Sequence, residues 1–210
     1  MIKERVNAFE NNDLKQIVSK IIDERREKLI VYPAALRLHH AMVGGLMYHT
    51  MSIVRMAEEI CKIYPNINKE LLLSGIILHD VAKTWELETS STGLAKGYSV
   101  EGELIGHLVK GAMYVSDAAK ELGIDSEVVT LLEHMIISHH GEPEYGAAVR
   151  PMFLEAEILS ALDSLDATIY EINAATSKIE AGSFTDRQWA LDNRKLYNHG
   201  LSSTEHNVNF

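Results

Sequence analysis

At 210 residues, with 46% hydrophobic and 24% charged content, the chain suits one globular domain large enough to close a core around a buried polar site. Twenty Lys and Arg against thirty Asp and Glu leave a formal charge of −10, which repels a polyanion at long range and disfavours nucleic acid as a tight partner, although bound divalent ions would offset some carboxylates locally. No apolar run approaches the roughly 18 residues of a membrane span, MIKERVNAFENND is too polar for a signal peptide, and Cys61 as the only cysteine excludes an internal disulfide and a thiolate zinc cluster. A cytoplasmic protein with a simply buried thiol is expected, and self-association stays open.

Asp13 can cap an amphipathic helix whose apolar positions, Leu14, Ile17, Val18, Ile21 and Ile22, recur at three- and four-residue steps and continue to Leu29 and Ile30. Pro33 stops it, and a short helical piece from Ala34 to His40 leads to Gly44-Gly45, where a second long helix begins and runs to about Tyr64. After a turn at Pro65-Asn66, Lys69 to Asp80 reads as a buried helix, LLLSGIIL, ending in His79 and Asp80. From Trp85 to Val100 the pattern breaks into turn formers and two β-like pieces, so a loop or small hairpin is expected there. Helices resume at roughly Glu101 to Leu122, Ser126 to His140 and Phe153 to Thr176, separated by Gly123 and by GEPEYGAAVRP. The fold class is therefore all-α, a helical bundle with one short insertion, residues 1–182 forming the domain and 183–210 a C-terminal extension.

Ten histidines mean little by number, but their placement is informative. His49 lies inside one predicted helix, His79 and Asp80 end the next, His107 lies in a third, His139 and His140 end a fourth, and Asp163 lies inside a fifth. Metal ligation explains this better than packing, because a buried imidazole or carboxylate without a partner is costly. Two adjacent side chains about 100° apart on a helix can reach one ion only where the helix ends or distorts, so the His79-Asp80 pair gains its meaning from the others. Mixed imidazole and carboxylate donors suit Mn, Fe, Co, Ni or Zn better than Ca or Mg, with Mn or Fe leading.

A distant His, a His-Asp pair and a later Asp, here His49, His79-Asp80 and Asp163, resemble the signature of the HD phosphohydrolase superfamily. His107 and the His139-His140 pair resemble its two-metal subset. That resemblance implies a first ion on His49, His79, Asp80 and Asp163, a second on Asp80, His107, His139 and His140, and Asp80 as the bridge. The segments PAALRLHHAMVGGLMYHT, LHDVAKTWEL, YSVEGELIGH, LLEHMIISHHGEPEYGAAVRPMFLEAEILSALDSLDA and FTDRQWALDNRKLY are similar to YhaM-type 3′–5′ exoribonucleases. The chain begins at the helical portion, so the amino-terminal OB-fold of those nucleases is not expected.

The implied activity is hydrolysis of a phosphate ester of a nucleotide or short single-stranded RNA or DNA, with hydroxide supplied at a two-metal site. Asp80, Lys83 and His107 are the expected catalytic side chains. A 3′–5′ exoribonuclease on longer RNA, a nucleotide phosphatase and a non-catalytic nucleotide sensor are the alternatives. Lys83, one helical turn after His79, either contacts a non-bridging phosphate oxygen, as the resemblance implies, or is a solvated lysine at a helix end. Tyr98 and Arg150 are further substrate-binding candidates, and with Lys96 and Arg194 they are equally readable as solvated loop residues. His39 and His40 are either substrate-side or ordinary surface and core imidazoles, His134 points away from the His139-His140 pair and reads as structural, and Asp166 either orients a ligand imidazole or lies on the helix surface. His199 and His206 belong to an aperiodic tail. The glycines of VGGLMYH and GELIGH lack the context of a phosphate loop, so close helix packing is expected of them.

Overall fold

The computed structural model describes residues 2–36, 42–90 and 94–203. Helices dominate them: α1 (Ile2–Asn7), α2 (Asn12–Val31), α3 (Gly45–Ile63), α4 (Lys69–Leu78), α5 (Lys83–Glu86), α6 (Val100–Leu122), α7 (Glu127–Ser138) and α8 (Leu154–Thr176). The only named sheet among these residues is the antiparallel pair β1 (Leu87–Thr89) and β2 (Ala95–Tyr98).

The largely apolar run from Leu71 to Leu78 is buried throughout, and α4 accordingly lies at the centre, in contact with α2, α3, α7 and α8. Gly75 lets α7 approach so closely that a Cβ there would lie 2.2 Å from Met135 Cε. On α2 the predicted stripe, Leu14, Ile17, Val18, Ile21, Ile22 and Leu29, is the buried face. Its cap differs from expectation: Asn11 Oδ1 accepts the Leu14 N–H at 3.0 Å, while Asp13 lies in the first turn and accepts from Ser126 Oγ at 2.8 Å. Both residues can cap, and Asn11 wins because its backbone is extended while Asp13 is already helical. The polar opening segment, which carries no apolar periodicity, forms a further helix, α1. Val6 is its buried residue, and Arg5 ties it to α3 by a forked pair with Glu58, both N–O distances being 2.8 Å.

The expected helical piece after Pro33 is not present in the part described, residues 34–36 being non-helical. The rest of it, with His39 and His40, lies outside the described residues, as does His206. The insertion is a true hairpin but shorter than expected, since Trp85 and Glu86 still belong to α5; Leu87 pairs with Tyr98, Glu88 with Gly97, and Thr89 with Ala95 across a bulge. The Arg25 guanidinium of α2 covers the Trp85 ring 3.1 Å from its centroid, and Tyr114 of α6 meets the same ring edge-on at 4.7 Å, seating α5, from which the hairpin leaves, on the bundle. Cys61 is half-buried, against the expectation of full burial. After α8, Phe184 pairs with Tyr197 and Gln188 with Arg194 in isolated antiparallel bridges, while Thr185, Leu191 and Leu196 turn inward. No helix among the described residues is long and apolar enough to cross a membrane.

Candidate metal centre

Two helix ends do the local work. His79 still donates its N–H to Gly75 O at 2.8 Å, but the following turn tightens, with Val81 N–H to Leu78 O at 3.1 Å and Lys83 N–H to Asp80 O at 3.0 Å. This change of pitch lets neighbouring His79 and Asp80 serve one centre, as the adjacency of the pair requires. After α7 the same three-residue step, Gly141 N–H to Ser138 O at 2.8 Å, follows His139 and His140. His49 comes from the second turn of α3 and Asp163 from the middle of α8.

These elements bring all seven predicted side chains together. His49 Nε2 lies 3.0 Å from Asp163 Oδ1 and 3.4 Å from His79 Nε2, and Asp80 Oδ2 is 3.4 Å from His79 Nε2 and 3.8 Å from His49 Nε2. The other Asp80 oxygen, Oδ1, faces the opposite way, 3.5 Å from His107 Nε2 and 3.7 Å from His139 Nε2. His107, His139 and His140 each offer a donor atom within 4.8 Å of the others. Asp80 thus stands between two groups, one oxygen toward each.

Every one of the five imidazoles is held from behind. Nδ1 donates to Asp166 Oδ2 from His49 (2.7 Å), to Ile76 O from His79 (2.7 Å), to Glu86 Oε1 from His107 (2.9 Å), to Ile136 O from His139 (2.6 Å) and to Tyr145 O from His140 (2.8 Å). With Nδ1 spent, Nε2 is the atom left for the centre in all five. Asp80 Oδ1 and His107 Nε2 are buried and have no hydrogen-bond partner among the described residues. An orphaned carboxylate oxygen facing an orphaned imidazole nitrogen is costly unless a cation joins them, so the donor set fits divalent transition metals.

The charges agree with this fit. Burial favours the neutral acid of Asp80, but Lys83 and His79 outweigh it and hold the carboxyl well below its usual range. Asp163 is likewise lowered against burial, by its hydrogen bond to His49. Burial, reinforced by the neighbouring His79 and His140, keeps His139 neutral, and burial with His107 lowers His140. His49 goes the other way: burial opposes its charge, yet hydrogen bonds to Asp163 and Asp166 push it up to about 9. In the metal-free protein a proton on Nε2 therefore sits where a cation would bind.

Lys83 is buried, its Nζ 2.7 Å from Asp80 Oδ2, which removes the reading of a solvated helix-end lysine. Asp166, one turn beyond Asp163, is buried and orients His49. His134 Nε2 accepts the Met152 N–H at 3.0 Å and joins no metal group among the described residues. Arg150 is exposed and paired with Glu142 at 2.5 Å, and Tyr98 is half-exposed on β2; among the described residues neither has a hydrogen bond or ion pair to the cluster. Glu86 was missed by sequence reasoning, since a lone acid next to an insertion, 21 residues before His107, carries no periodic or motif signal.

The family model for the HD domain matches residues 46–168. Similar curated proteins are the 3′-5′ exoribonuclease YhaM of Geobacillus sp. (strain WCH70), 39% identical over 202 residues, covering 96% of this chain and 61% of that protein. The proteins of the same name from Bacillus licheniformis and Bacillus subtilis (strain 168) are each 39% identical over 196 residues, 93% of this chain and 62% of theirs. The chain thus spans about three fifths of the length of the curated relatives it matches. No solved structure was found to match it.

Proposed function

Because the chain belongs to the HD domain family, we propose that it is a metal-dependent phosphodiesterase acting on a nucleotide or short single-stranded oligonucleotide at a centre for two divalent ions. The observation that carries the proposal is the common posture of five imidazoles, each with Nδ1 tied back and Nε2 left for the centre around Asp80 and Asp163. His49, His79, Asp163 and Asp80 Oδ2 would hold one ion; His107, His139, His140 and Asp80 Oδ1 the other. Mn or Fe suits these donors best, with Co, Ni or Zn as further occupants. Such ions, when bound, lower the pKa of water into the neutral range and offset charge on the phosphoryl oxygens.

The protein's own groups supply the rest. Lys83 keeps its charge against burial because Asp80 and Asp163 face it, so one ammonium both holds Asp80 ionised and can give a further N–H to a non-bridging phosphate oxygen. Asp166 fixes the His49 ring. Tyr98, on the hairpin strand β2, and Arg150, paired with Glu142, would meet the substrate from outside the centre. Residues 1–182 contain the whole ligand set, and 183–210 would be an extension of that domain.

The relatives are named as 3′-5′ exoribonucleases, which favours a ribonucleotide diester and makes trimming of longer RNA the second reading. The formal charge of −10 argues for short substrates, because only nucleotides near the ions gain attraction. Metal-loaded protein should release p-nitrophenol from bis-p-nitrophenyl phosphate above a metal-only control. It should also cleave dinucleotides and few-nucleotide RNA with kcat/KM at least comparable to long RNA. Efficiency climbing steeply with length would favour the exoribonuclease reading; hydrolysis of monoesters alone would indicate a nucleotide phosphatase, and no release at all a sensor.

A further inference from the structure

The two halves of the centre are not equally endowed with charge. Around His49 and His79 lie Asp163, the Oδ2 side of Asp80 and, behind His49, Asp166. Among the described residues, Asp80 Oδ1 is the carboxylate oxygen within 4 Å of the Nε2 atoms of His107 and His139, and Asp163 reaches this side only as far as His139, within 4.8 Å. His139 and His140 lean on backbone carbonyls, which carry no net charge. His107 alone leans on an acid, Glu86, which is largely buried at 12% side-chain exposure.

Glu86 grips His107 twice through one oxygen: Oε1 accepts the ring Nδ1–H at 2.9 Å and the backbone N–H at 3.1 Å. That backbone N–H is available because the helix is broken just before it. Gly106 has φ 72° and ψ 164°, a conformation open to glycine, so α6 kinks and His107 begins a new run. The same junction is locked from the other side. Ser99 donates its N–H to Glu86 O at 2.9 Å and caps α6 by accepting the Gly102 N–H at 2.9 Å, and a Cβ on Gly102 would lie 2.4 Å from Glu86 O. The hairpin strands β1 and β2 leave and return at this point. Glu86 therefore couples the kink, the hairpin and one ligand ring.

We propose that Glu86 is a positioning residue for His107 and, through it, sets the affinity of the second metal position without affecting the first. The inference rests on the two-ion reading above. A carboxylate on Nδ1–H makes the imidazole a stronger donor at Nε2 than a carbonyl does, and removing such a partner typically costs about 10–100-fold in metal affinity. The effect falls on the position with the fewest charged ligands, so that ion is the one to be lost first.

Mn²⁺ titration of the full chain by calorimetry, with bound metal counted by mass spectrometry and spin coupling between ions read by EPR, tests this. Glu86→Gln keeps an oxygen acceptor but removes the charge; Glu86→Asp keeps the charge but draws it back. Wild type should bind two ions. Glu86→Gln should bind the first within about twofold of wild type, lose affinity for the second about 10–100-fold, and lose the coupled EPR signal at metal concentrations that saturate wild type. Glu86→Asp should show an intermediate loss, and it carries the test if circular dichroism finds Glu86→Gln unfolded. Two ions of unchanged affinity in the folded variants would overturn the role of Glu86 and leave the two-ion reading standing; equal loss of both ions would make Glu86 a general structural residue. A wild type that takes one ion would overturn both.

Discussion

Asp80 is the residue on which both halves of the centre converge, and its two oxygens face in opposite directions. Asp80→Ala should accordingly abolish turnover and weaken both ions in a metal count; loss of one ion alone would contradict a bridging role. Lys83 makes the opposite prediction. Its ammonium contacts Asp80 rather than any ring nitrogen, so Lys83→Ala should keep the metal content and lower kcat by roughly 10²–10³-fold, the usual effect of removing one group that stabilises developing charge. A variant emptied of metal would refute that. That the seven side chains share a buried centre was legible in the sequence because histidines and acids are expensive inside apolar helices, and LLLSGIIL running into His79-Asp80 announces burial plainly. The residues behind the ligands were much less so. Asp166 was readable only as an even choice between surface and second contact, and Glu86 not at all, since its meaning depends on a kink brought about by tertiary contact.

Where helices begin, end and bend decides how those residues meet. The elements α2, α3, α7 and α8 follow from apolar spacing and α4 from its apolar run, whereas α1 is too short and polar to be distinguished from a frayed terminus, and the Gly106 kink lies inside an otherwise unbroken helical pattern. Gly102 was expected to serve close packing and does. Gly102→Ala would force backbone at Glu86 to shift and should cost about 1–3 kcal/mol of stability in a denaturant melt. The α1–α3 contact gives a prediction with a sign in pH. The Glu58 carboxyl is lowered by its hydrogen bond to Arg5, so the stabilisation is present above the unfolded pKa of about 4.3 and is lost as pH falls through the lower folded value. Glu58→Gln should lose about 1 kcal/mol at pH 7, or about 2–4 °C in Tm, and the gap to wild type should narrow as melts are made progressively more acid below the unfolded value. A gap that persisted there would place the loss in packing instead.

At the scale of the molecule, the side chains of the centre connect chain segments that are far apart: His49 and His79 are separated by 30 residues, and His49 and its partner Asp166 by 117. Ions that bind the folded chain alone stabilise it by about 2.7 kcal/mol each at a hundredfold excess over Kd, so stripping both with a chelator should lower Tm by roughly 10 °C or more. An unchanged Tm would mean that the helices hold the ligands in place without help. The dispersal of the centre along the sequence also has a kinetic side. Bringing ends together over such separations is slow and entropically costly, and a chain with ten histidines offers the same ions many easier local pairings before the helices have docked. Metal present from the first moment of refolding would then trap misligated chains, whereas apo protein allowed to assemble its bundle first would present the five rings already aimed, and would reach the loaded state sooner although it met the metal later.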